Sequence, residues 1–322
     1  MELSESHESS IEVQHKILRH ISSGSKTSSY VAEDRAGNLV TLTYLERDKI
    51  IQQHKMLQHY SGLSLEEAEK KAITIADDYR ERFFRAAERV GHLAHDHVAG
   101  IVDQGYDEKR EQCVVITEYA PGVDFFYATQ GLTELQQITL FAQALEGLDF
   151  IHQSGFLHLN VKPKRVRVNL DHTPPWVKFT DFGLAIPKKA YSGIYSGTAL
   201  YMAPEVVMGE NEQIDDRADL YSFGIMAYYA LTRHHPLEHR LRAENDRQKL
   251  KMIVGREGVM APPSQYRRSI PTELDAFCIK LIQKNPTERG FSTAAAALKY
   301  LRDTWPEASK SMPTEMTTTL VA

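Results

Sequence analysis

Cysteine is scarce in this chain. Cys113 and Cys278 are its only two thiols in 322 residues, too few for a disulfide framework or a zinc cluster. Both lie in apolar runs, which predicts buried thiols and a reducing, cytoplasmic setting. No stretch approaches the ~18 consecutive apolar residues of a membrane span. The first ten residues, MELSESHESS, are acidic and polar and lack the apolar core of a secretory signal. Positive charge is not in excess. The 38 Lys and Arg face 43 Asp and Glu, a net of −5, which argues against a dedicated nucleic-acid surface. What is present is ordinary for a globular protein, with 42% apolar and 25% charged residues. The length suits about two domains or lobes.

The pattern along the chain changes near residue 120. Before it, short apolar runs alternate with turn residues. Tyr30–Asp34 and Leu39–Glu46 flank Arg35-Ala36-Gly37-Asn38 and read as a hairpin. Ile101–Asp107 and Cys113–Ala120 read as two further strands, and Pro121-Gly122 ends the second. Between them, residues 47–90 are charged, free of proline and helical in period. After residue 121 helices dominate. Leu135–His152 is apolar at helical spacing, Ala218–Leu231 is apolar nearly all round, and Leu274–Gln283 and Ser292–Leu301 are amphipathic. Val166–Val168 and Trp176–Phe182 read as short strands. The expected fold class is α+β, with a small antiparallel-sheet N-lobe and a larger helical C-lobe. The expected boundaries are a disordered 1–14, an N-lobe over 15–120 with a helical insertion at about 47–78, a C-lobe over 121–304 and a flexible tail over 305–322.

Three motifs carry chemistry. His158-Leu159-Asn160-Val161-Lys162-Pro163 lies between a helix and a strand. Asp181-Phe182-Gly183 follows the second of the short strands. Ala203-Pro204-Glu205 follows at a spacing of 22, after Gly197-Thr198. Each is weak alone, but their order, spacing and setting together are specific. The chain resembles a protein kinase domain, closest in style to the eukaryotic-like Ser/Thr kinases of bacteria. The resemblance covers about residues 15–304 and implies a two-lobed kinase-like fold.

Against that family the departures become legible. The family's phosphate-covering glycines fall on Ser22, Gly24 and Thr27, so only Gly24 survives. Its phosphate-pairing lysine falls on Thr43 and the glutamate partner of that lysine on Ala86. The catalytic aspartate falls on Asn160, which is not a base near neutral pH. The second metal ligand falls on Arg165, and a guanidinium does not bind Mg²⁺. Lys162, two residues past the catalytic position, is retained, and Asp181 remains as a residual metal ligand. The former nucleotide cleft is implied at Gly24, Thr117, Glu118 and Tyr119. Arg167 stands where the adenine floor would be, with Ser29 and Thr41 as the ceiling. Residues that support the fold are His158, Phe182, Glu205, Asp219 and Arg289. Val90 and Ile101 complete an apolar spine with His158 and Phe182.

The resemblance and its losses together imply a pseudokinase. Such a chain would work by binding, as a scaffold or as an allosteric partner of an active kinase or other signalling protein. No cofactor is expected beyond weak residual ATP and Mg²⁺ binding, and neither nucleic acid nor a membrane span is implied. Two alternatives stay open. One is a weak or atypical ATP-dependent Ser/Thr kinase using Asp181, Lys162 and Lys26. The other is a metal-independent anion or nucleotide sensor built on Lys162, Arg165 and Arg167. The insertion is expected to form an extra helix or two, as a docking element or as a solvated face.

Overall fold

The computed structural model describes residues 10–11, 14–24, 26–90, 95–172, 174–181, 185–188, 198–210, 212, 214–237, 253–255 and 260–309, the side chains at 10, 11, 86 and 88–90 lying outside it. The described residues form two compact units. The first holds residues up to 90, 99–119 and Asp181; the second holds 95–98, 120–180 and the described residues from Ala185 onward.

The first unit is built on a six-stranded sheet. Its strands are β1 (Ser10–Ile11), β2 (Lys16–Ser23), β3 (Thr27–Glu33), β4 (Leu39–Leu45), β5 (Ile101–Asp107) and β6 (Gln112–Glu118), in the order β1-β5-β6-β4-β3-β2. All pairings are antiparallel except β1 with β5. Only residues 12–15 join β1 to β2, although the two strands are the opposite edges of the sheet. Five strand spacings in a flat sheet come to ~24 Å. Five extended residues reach at most ~18 Å. A sheet with these two edges so close in sequence is curled rather than flat. Residues 10–11, expected to be disordered, are instead ordered by pairing with Tyr106 and Asp107 on the exposed side of β5.

Alternation along β4 sorts the sheet's two faces. Val40, Leu42 and Tyr44 join Ala32, Val114 and Ile116 in the core cluster. Thr41 and Thr43 fall on the opposite face. Two helices follow β4, α1 (Arg47–Tyr60) and α2 (Leu65–Val90). They pack as a hairpin in which Ala68, Ala72 and Ala76 are fully buried along one stripe of α2. Three alanines at i, i+4, i+8 let the two backbones approach closely. The expected insertion end at 78 is not a boundary in the structure, because α2 runs through it unbroken for 26 residues.

The second unit is mainly helical. β7 (Val123–Asp124), β9 (Val166–Asn169) and β10 (Trp176–Phe179) form a three-stranded antiparallel sheet. β8 (Phe156–Leu157) pairs with β11 (Ile186–Pro187). The helices are α3 (Phe125–Ala128), α4 (Glu134–Gln153), α5 (Pro204–Met208), α6 (Asp216–Thr232), α7 (Thr272–Leu281) and α8 (Ala294–Thr304). Thr133 and Gln136 close a capping box that starts α4. α6 is buried from Ala218 to Tyr228, as its all-round apolar sequence requires. Its Gly224 is needed for packing, since a Cβ there would lie 2.6 Å from Cβ of Leu281 on α7. The expected tail begins with structure: Pro306–Ser309 form a 3₁₀ turn with Ala308 buried. Residues 310–322 lie outside the described residues. This is the fold of a kinase domain, an antiparallel-sheet lobe and a helical lobe. Among the described residues no helix is long and apolar enough to cross a membrane.

Candidate functional site

In the first unit the face of the sheet carrying Thr41 and Thr43 is a field of hydroxyls. Register places Thr43 opposite Ser29 on β3 and Thr41 opposite Thr117 on β6. Thr43 and Ser29 are buried and share a hydrogen bond of 3.2 Å. A small cavity of about 10 Å³ lies against this face, lined by Thr43, Val115, Thr117, Ile101, Phe83, Ala87 and Asp181. That is about the space one water needs. Of the lining residues Asp181 alone carries charge. α2 closes the cavity with Phe83 and Ala87, one turn apart on the same stripe as Tyr79. Ala86, where the resemblance puts the glutamate, has its side chain outside the described residues, as does Val90.

The turn between β2 and β3 has lost its glycine character. Gly24 is exposed, its φ is not left-handed, and a Cβ there would meet nothing nearer than 3.6 Å. The turn is tied to α1 instead. The amide of Glu46 donates to the carbonyl of Lys26 (2.8 Å), and Ser28 Oγ donates to Glu46 Oε1 (2.6 Å). The ammonium of Lys26 lies 4.6 Å from the ring centroid of Tyr79 on α2, a cation–π contact. His54 of α1 faces the same ring, and burial together with the Lys26 charge lowers its pKa. Glu118 is exposed and bonds through its amide to the carbonyl of Gly100. Tyr119 is half-buried, and Arg19 donates to its hydroxyl (2.9 Å).

In the second unit the loop after β8 is held from beneath by α6. Asp219, fully buried, accepts from the amides of His158 and Leu159 (both 2.7 Å) and from His152 Nε2 (2.9 Å). Burial works to raise its pKa, but the His152 bond, the two histidine charges and the His158 amide outweigh it, and the net direction is down. Leu159 is left-handed at φ 50, a conformation that costs a branched side chain ~1–2 kcal/mol. The bonds to Asp219 hold it. Asn160 is buried. The ammonium of Lys162 donates to Thr198 Oγ1 at 2.5 Å. Arg165 bonds through its carbonyl to the amide of Thr180 (2.8 Å).

Arg167 stands on β9 between the buried Val166 and Val168, in register with Asp124 on β7. Its guanidinium donates to the carbonyl of Gly122. Gly122 has φ 100, and a Cβ there would fall 2.0 Å from the carbonyl oxygen of Val168, so only glycine fits. Lys162 and Arg167 thus engage different partners, Thr198 and Gly122. Glu205 and Arg289 form a bidentate pair (2.6 and 2.7 Å) with both side chains fully buried. Asp181 has φ 63, a left-handed position that aspartate tolerates better than most residues. Phe182 lies outside the described residues. Among the described residues no group of three or more His, Cys, Asp or Glu side chains is placed to hold a metal ion.

Sequence reasoning missed the part played by Phe83, Ala87 and Tyr79. The signal was available: Ala68, Ala72, Ala76, Tyr79, Phe83 and Ala87 repeat at three- and four-residue spacing, the stripe a helix buries.

The family profile described as protein kinase domain matches residues 64–301. The chain is 30% identical over 224 residues to serine/threonine-protein kinase PknB of Mycobacterium leprae, covering 66% of this chain and 34% of that protein. It is 28% identical over 226 residues to the RAF proto-oncogene serine/threonine-protein kinase of Xenopus laevis, covering 67% and 34%. It is also 28% identical over 236 residues to the probable serine/threonine-protein kinase pknA2 of Bifidobacterium longum, covering 71% and 28%. The chain therefore spans about a third of the length of these curated relatives. A motif order, a sheet-and-helix architecture and a family profile over most of the chain agree: it belongs to the protein kinase domain family.

Proposed function

We propose that the chain is a pseudokinase, a kinase domain that works by binding other proteins as a scaffold or allosteric regulator in cytoplasmic signalling. The observation that carries this is the cavity beside Thr43. Where phosphate chemistry needs an ammonium, the sheet offers a buried threonine bonded to Ser29, and α2 offers Phe83 and Ala87. A phosphoryl group brings several negative charges, and its transfer depends on fixed cations and metal to hold them. Here Asp181 faces hydroxyls and apolar groups, and the second metal position is Arg165. Lys26, the nearest substitute cation in sequence, lies over Tyr79. These residues do not fit ATP with Mg²⁺.

A second reading is favoured by the relatives, all named as serine/threonine kinases, and by the retention of Lys162 and Asp181. Under it the chain is an atypical ATP-dependent kinase. Calorimetric titration with ATP, with and without Mg²⁺, separates the readings. The pseudokinase predicts no Mg²⁺-dependent binding. Tight binding that needs Mg²⁺ and is lost in Asp181→Ala would contradict it. Binding that ignores Mg²⁺ and is lost in Arg167→Ala would instead mark an anion or nucleotide sensor.

A further inference from the structure

The second unit carries a cleft of about 570 Å³, within the size range of ligand sites, apart from the residues considered so far. One wall is the end of α5 and the residues after it, with Met208, Glu210 and Glu212. The other is the turn 284–288, with Lys284 and Glu288. Arg217, at the start of α6, forms the floor.

Two arginines fix these walls. Arg217 grips both carboxylate oxygens of Asp215 through Nε (2.9 and 3.1 Å) and donates to the carbonyl of Pro286 (3.0 Å). Arg289 joins Glu205 of α5, the carbonyl of Arg217 (2.8 Å) and those of Gln283 and Lys284 (3.0 and 3.3 Å). The cleft is thus formed before any ligand arrives, which lowers the ordering cost of binding.

Its charge is unbalanced. Asp215 neutralises Arg217, leaving Lys284 against three carboxylates. The side chains of Glu210, Glu212 and Glu288 meet no hydrogen-bonding or ionic partner among the described residues. Met208 is 40% exposed at one end and offers an apolar contact.

We propose that this cleft is a docking site for an extended segment of a partner protein that carries lysine or arginine beside an apolar residue. The cations meet the carboxylates of Glu210 and Glu288, and the apolar residue rests on Met208. An open cleft between a helix end and a turn suits an extended chain better than an enclosed small ligand. The site stands whether or not the chain transfers phosphate.

The test uses the full chain with ¹³C-methyl-labelled methionine. The probe is the capped hexapeptide Ac-Gly-Leu-Arg-Arg-Leu-Gly-NH₂, and the same peptide with glutamate for arginine is the control. The expected result is a saturable shift of the Met208 methyl with the basic peptide only. In Glu210→Gln/Glu288→Gln the affinity should fall about tenfold, as the loss of two partly exposed ion pairs implies. These side chains are not in the core, so the variant should fold, which its methyl spectrum without peptide will show. No shift at Met208, an equal shift with the acidic peptide, or an affinity unchanged in the double variant would overturn the proposal.

Discussion

Thr43 and Asp219 show how differently single residues can fare in one fold. Thr43 puts no ammonium on its face of the sheet and closes its own hydroxyl onto Ser29. Asp219 keeps in shape the loop that carries Asn160. With its three acceptor bonds it pins a left-handed Leu159. An asparagine there would turn an NH₂ group toward amide donors. Asp219→Asn should lower the unfolding free energy by ~3 kcal/mol at pH 7, measured by urea denaturation. The pH dependence has a defined sign. The folded-state pKa of Asp219 is lowered, so its contribution is complete above the unfolded value of ~3.9 and is lost as pH falls through the lower folded value. The gap between the wild type and Asp219→Asn should therefore be full near pH 5 and close as pH falls below about 4. A gap that widened on acidification would contradict this assignment.

At the scale of elements, the α1–α2 hairpin occupies the region where the insertion was expected. The turn between the helices is closed by Ser64 and Glu67, with the Ser64 amide donating to Glu67 Oε2 (3.0 Å) and the Glu67 amide to Ser64 Oγ (3.3 Å). The hairpin also reaches the β2–β3 turn through Glu46 and Lys26. A larger side chain in the alanine stripe would wedge the helices apart. Ala72→Leu should cost ~1–3 kcal/mol of stability and speed amide hydrogen exchange in α1. Unchanged exchange in α1 would mean that the stripe does not hold the hairpin.

Much of this was legible beforehand. Strand alternation, the helical spacing of α4 and the apolar girth of α6 are local, so periodicity finds them. The expected insertion end at 78 falls inside α2, and nothing in the sequence marks a break there. The strand at residues 10–11 was invisible because its cause lies on β5, about a hundred residues away. Phe83 and Ala87 line the cavity from α2, and the side chain of Ala86, where motif counting puts the family's glutamate, lies outside the described residues.

For the molecule as a whole, the pseudokinase proposal is that a kinase domain keeps its frame without its chemistry. The frame rests on Asp219 under the loop and on the Glu205–Arg289 pair, whose partners are each completely buried. The chemistry needs cations, metal ligands and a base acting together. On the pseudokinase proposal, Thr43, Arg165 and Asn160 each stand where one of these would be needed. Because such groups contribute several kcal/mol each to a transition state, their joint loss would lower turnover by many orders of magnitude. The most direct measurement is transfer of radiolabelled γ-phosphate from ATP with Mg²⁺ to the chain itself and to a generic Ser/Thr substrate. The purified wild type and Asp181→Ala are compared side by side. The account predicts no incorporation in the wild type above that of Asp181→Ala; Mg²⁺-dependent incorporation that Asp181→Ala abolishes would contradict it.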